Sequence, residues 1–128
     1  MGSNNMGQAA HSVLVVEDEP LVRLVAADII EELGIKPYEA GDADEALFQL
    51  AAHPDIDVLF TDVDMPGGMD GIALAERVHR FKPEIGIIVT SGKVRVPDAS
   101  LPERGTFLPK PYRPEELAGV VGQKLLRA

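Results

Sequence analysis

Four short apolar runs in this chain each lead into a group that handles phosphate or metal. Val13-Leu14-Val15-Val16 runs into Glu17-Asp18, and Val58-Leu59-Phe60-Thr61 runs into Asp62. Ile85-Gly86-Ile87-Ile88-Val89 ends at Thr90, and Phe107-Leu108 leads up to Lys110. Runs this short and continuous are typical of strands buried on both faces. In an open parallel α/β sheet the carboxyl ends of the strands share one edge, and ligands bind in the crevice there. If the runs are parallel strands, residues far apart in sequence converge on one site: three acids, a hydroxyl and an amine.

The segments between the runs carry helical punctuation. Pro20 suits a first helical position, where its missing N–H costs nothing. Leu21, Leu24, Val25, Ile29 and Leu33 follow at helical spacing, read as a core stripe, and Gly34 is placed to end the helix. A weak strand is expected at 35–39. Asp42 with Glu45 resembles a capping box opening a second helix, and Asp70 caps a third whose apolar side is Ile72, Leu74, Ala75 and Val78. The last helix opens at Arg113-Pro114-Glu115-Glu116, with acids in its first turn and Lys124 and Arg127 in its last, as the helix dipole favours. Residues 93–105 stand where alternation places one more helix. They hold Pro97, Pro102 and Gly105 and no apolar periodicity. An interior proline costs a helix roughly 3 kcal/mol, so a loop or at most one turn is expected.

The order β-α-β-α-β-α-β-loop-β-α implies a doubly wound five-stranded parallel sheet with right-handed crossovers and helices on both faces. Strand order 2-1-3-4-5, the flavodoxin-like arrangement, suits five strands. Its switch point lies between strands one and three, which end in Glu17-Asp18 and Asp62.

At 128 residues the chain is one domain, and its 45% apolar and 26% charged content is that of an ordinary soluble globule. A formal charge of −9 argues against nucleic acid and against anionic membranes, both of which need a basic face. There is no cysteine, hence no disulfide or thiolate metal site, which fits the cytoplasm. No stretch approaches the ~18 apolar residues of a membrane span. The small, polar start lacks the features of a signal peptide, and Met1-Gly2-Ser3 reads as a cloning scar or linker.

Three carboxylates packed together repel one another, and a divalent hard cation relieves that repulsion. Mg²⁺ prefers oxygen ligands: a few carboxylates, waters and phosphate oxygens. Asp62 can act as a nucleophile on a phosphoryl group, Lys110 can pair with phosphoryl oxygens and Thr90 can donate to one of them. Taken singly, each residue has a plainer reading: an acid after a strand is most often a helix cap, Thr90 a strand end and Lys110 a solvated lysine. Joint placement at four strand ends is what favours the site. Asp44 reads as surface, Asp70 as a cap and Asp64 as undecided. His11, His53 and His79 read as surface residues that do not cluster.

With these residues in view, the chain resembles the response-regulator receiver domains of two-component signalling. The resemblance rests on Val13-Leu14-Val15-Val16-Glu17-Asp18-Glu19-Pro20, Thr61-Asp62-Val63-Asp64-Met65-Pro66 with Asp70-Gly71, Val89-Thr90-Ser91-Gly92, and Leu108-Pro109-Lys110-Pro111-Tyr112. It covers residues 12–128, leaving 1–11 as an expected disordered tag or linker. It implies that Asp62 is the phosphoacceptor, and that Glu17, Asp18, Asp62 and the Asp64 backbone carbonyl hold Mg²⁺. It implies that Thr90 and Phe107 are switch residues, that Lys110 pairs with phosphoryl oxygens and precedes a cis Pro111, and that small Ser91 leaves the phosphoryl pocket open. The implied partner is a sensor histidine kinase or a histidine phosphotransfer protein. Slow autodephosphorylation is implied rather than enzymatic turnover, in a monomer or a weak phosphorylation-dependent dimer. With no output domain after Leu126, the signal is expected to pass through protein contacts or a parent chain.

The chain departs from the family pattern in three places. Gly67-Gly68 lengthens the loop after Pro66 by one residue, Asp64 adds an acid two positions past Asp62, and the fourth helix is poorly encoded. Loop and strand end resemble a subset of alphaproteobacterial receivers, both stand-alone and within hybrid kinases. Two rival readings exist. Asp62-Val63-Asp64 matches the Asp-x-Asp of haloacid-dehalogenase-type phosphatases, although there it sits on the first strand. A receiver-like module that is never phosphorylated is the other.

Overall fold

The structure is a computed structural model and describes residues 10–126. Five parallel strands are hydrogen-bonded in the order β2-β1-β3-β4-β5, as expected. The strands are β1 (Ser12–Val16), β2 (Lys36–Ala40), β3 (Val58–Asp62), β4 (Gly86–Ser91) and β5 (Thr106–Pro109). The helices are α1 (Pro20–Glu32), α2 (Ala43–Ala52), α3 (Gly71–Phe81) and α4 (Pro114–Leu125). No helix among the described residues is long and apolar enough to cross a membrane.

Alternation along the strands divides the core in two. Leu14, Val16, Leu59, Ile87 and Val89 face one side, under α2 and α3. Val13, Val15, Val58, Phe60 and Ile88 face the other, under α1 and α4. Successive side chains on a strand point to opposite faces, so a run apolar at every position needs cover on both. Each fully buried Leu, Ile or Val contributes roughly 1.5–3 kcal/mol of hydrophobic stabilisation.

Local signals place the elements. Gly34, at φ 81°, ends α1 in the left-handed region that a side chain disfavours. The Asp42 carboxylate accepts from the Glu45 amide at 2.9 Å, while Glu45 reaches back to the Gly41 amide, one residue earlier than a standard capping box. Asp70 caps α3 through the Ala73 amide at 2.9 Å. Glu115 and Glu116 lie in the first turn of α4 and Lys124 in its last. Arg127 and the expected linker residues 1–9 lie outside the described residues. Of that linker, His11 is described and exposed, with Nδ1 3.3 Å from Asp57 Oδ2.

Residues 92–105 form no α-helix, only a single 3-10 turn at Asp98–Ser100. This irregular segment still covers the sheet, because Leu101 is buried in the α2/α3-side core and Val96 packs against it. The Asp98 carboxylate accepts from the Phe107 amide at 2.9 Å, which ties the segment to β5.

The reading of α1 needs correction. Most of its large apolar stripe is not core: Leu21 is 76% exposed, Val25 57%, Leu24 49% and Leu33 44%, whereas Ile29 is partly buried against the α1/α4-side core. The buried face is Ala26, Ala27 and Ile30. Two small alanines let the helix lie close on the sheet and turn the larger stripe outward. His79 also departs from the surface reading, since its Nδ1 is buried without a hydrogen-bond partner among the described residues. His53 is half-buried and stacks on Tyr38 with ring centroids 4.1 Å apart.

Candidate functional site

The carboxyl ends of β1, β3, β4 and β5 meet around one pocket of about 300 Å³, which includes Glu17, Asp18, Asp62, Asp64, Gly92, Lys93 and Lys110 in its lining. Register does this: Asp62 pairs with Thr90 across β3 and β4, and Ser91 with Pro109 across β4 and β5. Gly71 permits the approach of α3 to β3, because a Cβ there would stand 1.9 Å from the Asp62 carbonyl oxygen.

Glu17 and Asp62 are buried, at 4% and 5% exposure, whereas Asp18 is exposed. Each of the three offers an oxygen within 4.8 Å of the others. Lys110 Nζ donates to Glu17 Oε1 at 2.8 Å and lies 3.4 Å from Asp62 Oδ2. Asp62 Oδ1 and Thr90 Oγ1 are buried and have no hydrogen-bond partner among the described residues. Buried polar atoms are nearly always paired, so such orphans mark where another group binds.

The plain reading of Asp18 as a helix cap does not hold. The N-cap of α1 is Glu19, which makes no side-chain cap bond, and the helix begins with Pro20. Arg23, which the sequence reading passed over, instead fixes the β1–α1 turn. Its Nη1 donates to the Glu17 carbonyl at 2.8 Å and its Nε to Glu39 Oε1 at 3.1 Å. Only its position one turn into α1 hinted at that.

Burial pushes the Asp62 carboxyl above the ordinary aspartate range, partly offset by the Lys110 charge and the Asp64 amide. Burial likewise raises Glu17, against the pull of its hydrogen bond from Lys110. On Lys110 burial works downward but is outweighed by the hydrogen bond to Glu17 and the charge of Asp62, so its ammonium is held above the usual lysine value. Two buried acids held by one lysine carry uncompensated negative charge. An oxygen-only set with an orphaned carboxylate oxygen suits a hard divalent cation, and Glu17, Asp18 and Asp62 fit Mg²⁺.

Asp64, undecided from sequence, accepts from Ser91 Oγ at 3.0 Å. The Lys110–Pro111 bond is cis. Phe107 is half-buried on β5 against the α2/α3-side core. Beside the pocket, and sharing Gly92 and Lys110 with it, runs an apolar groove of about 620 Å³ floored by Leu21, Val25, Ile29, Pro111 and Tyr112.

Known proteins resemble this chain in sequence and in fold. Residues 13–121 match the family described as the response regulator receiver domain. The nitrogen assimilation regulatory protein NtrX of Azorhizobium caulinodans is 32% identical over 120 residues, covering 91% of this chain but 26% of that protein. The crystal structure of the receiver domain from the hybrid histidine kinase CckA superposes with a TM-score of 0.76 at 36% identity, covering 89% of this chain and 98% of that one. The receiver domain of NtrX from Brucella abortus superposes with a TM-score of 0.82 at 29% identity, over 91% of this chain and 99% of that one.

Proposed function

The chain belongs to the response regulator receiver family, and from that premise we propose that Asp62 accepts a phosphoryl group from a histidine of a partner protein. The single observation that carries this reading is the buried pair Asp62 Oδ1 and Thr90 Oγ1, both without partners among the described residues, with the Lys110 ammonium 3.4 Å from the other oxygen of Asp62. Attack by an Asp62 carboxylate oxygen forms the new O–P bond as the P–N bond to the donor histidine breaks and its nitrogen leaves. Lys110 pairs with the incoming phosphoryl oxygens, and the Thr90 hydroxyl turns its free proton to one of them. Later attack by water on phosphorus returns Asp62 and releases inorganic phosphate. Glu17, Asp18, Asp62 and the Asp64 carbonyl would hold Mg²⁺, which when bound offsets the charge of acids and phosphate.

A macromolecular donor suits the surroundings. The pocket opens beside an apolar groove on α1 whose Leu21 and Val25 face solvent. Exposed apolar patches next to a reactive group mark protein contacts. The donor is read as a sensor histidine kinase or a histidine phosphotransfer protein acting in the cytoplasm. Phosphorylation then shifts a two-state equilibrium of Thr90 and the 92–105 segment.

The test is direct. With acetyl phosphate and Mg²⁺ the protein takes up one acid-stable, base-labile phosphoryl group, and Asp62→Asn takes up none. Equal incorporation in the variant would sink the assignment.

A further inference from the structure

Ser91 is 2% exposed and its hydroxyl makes three bonds. It donates to Asp64 Oδ2 at 3.0 Å and accepts from the amides of Lys93 at 3.0 Å and Val94 at 3.1 Å. A hydroxyl has one proton to give, so Asp64 fixes the direction of that oxygen, and the oxygen fixes the turn that follows. The same turn brings Gly92 and Lys93 into the lining of the acid pocket.

By its own side chains, before any Mg²⁺ offsets their charge, the pocket is hostile to an anion. Glu17, Asp18, Glu19, Asp62 and Asp64 line it against two lysines. Lys110 is engaged with Glu17 and Asp62. Lys93 is exposed and makes no ion pair among the described residues. Among the described side chains lining the pocket it is the cation not already paired with an acid, and so can meet an approaching phosphate ester or anhydride.

We propose that Asp64, acting through the Ser91 hydroxyl, is a positioning residue that holds Lys93 at the mouth of the acid pocket, where its charge guides an anionic phosphodonor to Asp62. The proposal rests on the reading of Asp62 as phosphoacceptor and adds to it how the donor gets past five acids. Asp64 contributes by geometry and opposes by charge. Ser91→Ala is therefore the cleaner probe, because it breaks the tether without altering charge.

The experiment has two arms. In the first, without any phosphodonor, amide exchange at Lys93 and Val94 is followed in wild type, Ser91→Ala, Asp64→Ala and Asp64→Asn. Loss of the tether should speed both amides about five- to ten-fold, while Asp64→Asn, which keeps an acceptor, stays near wild type. In the second, phosphorylation by acetyl phosphate is followed at low and high salt in wild type, Ser91→Ala, Lys93→Ala and the double variant. Each single variant should be slower by about three-fold or more at low salt, with the deficit shrinking at high salt. The double variant should be no slower than Lys93→Ala, since both changes remove the same effect.

Amides unmoved by both Ser91→Ala and Asp64→Ala would overturn the tether. A Lys93→Ala rate equal to wild type at low salt, or losses that multiply in the double variant, would overturn the guiding role. A wild type that takes no phosphoryl group would instead sink the Asp62 assignment, with the exchange arm still deciding the tether.

Discussion

Lys110 Nζ and Glu17 Oε1 are 2.8 Å apart although 93 residues separate them in the chain. The bond joins the end of β5 to the end of β1 across the acid pocket, with Asp62 Oδ2 3.4 Å from the same ammonium. One lysine thus holds two buried carboxylates, and this imbalance has measurable consequences.

The first concerns pH. The folded Asp62 and Glu17 carboxyls lie above their unfolded values because burial favours the neutral form. The folded state then binds more protons than the unfolded one. Their contribution to stability is fully present below the unfolded carboxylate value, about pH 4, and is lost as pH rises through the raised folded values. Lys110, also raised, has the opposite standing at neutral pH: its contribution is present below about pH 10 and is lost only above. Without Mg²⁺, Asp62→Asn should therefore raise the melting temperature at pH 7–8 by about 2–5 °C, with the gain vanishing below about pH 4. Lys110 keeps Glu17 in that variant. An equal gain at both pH values would show that the carboxylate charge is not the cause.

The second concerns the cation. A ligand bound only by the folded state stabilises by mass action, by about 1.4 kcal/mol at ten times its dissociation constant. Millimolar Mg²⁺ should raise the melting temperature by a few degrees, and Asp18→Asn should weaken the response. Asp18 caps no helix in this structure, so its substitution carries little structural cost of its own. A melting curve indifferent to Mg²⁺ would count against the metal reading.

The third concerns residues 92–105. Their backbone bonds are local turns: Ser100 to Pro97, Leu101 to Asp98 and Gly105 to Pro102. Such bonds open without breaking the sheet, so amide exchange should be fast here compared with β3 and β4. Beryllofluoride, which mimics a phosphoryl group on Asp62, should slow it, because the segment runs from Thr90 to Phe107 and order-disorder change is a known mode of switching. Identical protection with and without the mimic would remove this segment from the switch.

The sheet and the acid cluster were legible from sequence because their signals are local and redundant. A strand apolar at every position has to be buried on both faces, and an acid at its end has to lie on the carboxyl edge. The missing helix was equally legible, since Pro97, Pro102 and Gly105 act on the backbone directly. What the segment does instead was not, because Val96 and Leu101 enter the core without any period that marks them. The Asp64–Ser91 bond was hidden for a similar reason, as it depends on the register of β3 against β4. The face of α1 was misread because helical spacing reports that a stripe exists, not which side of the helix meets the sheet. Ala26 and Ala27 carry little hydrophobic weight in a sequence but decide that contact through their size.

That outward stripe leads to the last prediction. Leu21 and Val25 are 76% and 57% exposed, so acidic substitution there removes little buried surface. Surface changes of this kind usually alter stability by under about 0.5 kcal/mol. They do place charge in the apolar groove that runs from α1 to Pro111 and Tyr112 beside the acid pocket. A small donor such as acetyl phosphate needs only the pocket, whereas a histidine on a partner protein needs a surface to dock on. Leu21→Asp with Val25→Asp should therefore keep the melting temperature close to wild type, and likewise the acetyl phosphate reaction at high salt, where the added charges are screened. Transfer from a phosphorylated histidine protein should slow at least about ten-fold, the effect of losing 1.4 kcal/mol of interface. Equal loss with both donors would mean that the variant damages the pocket itself. Equal retention with both would mean that the partner approaches from another face.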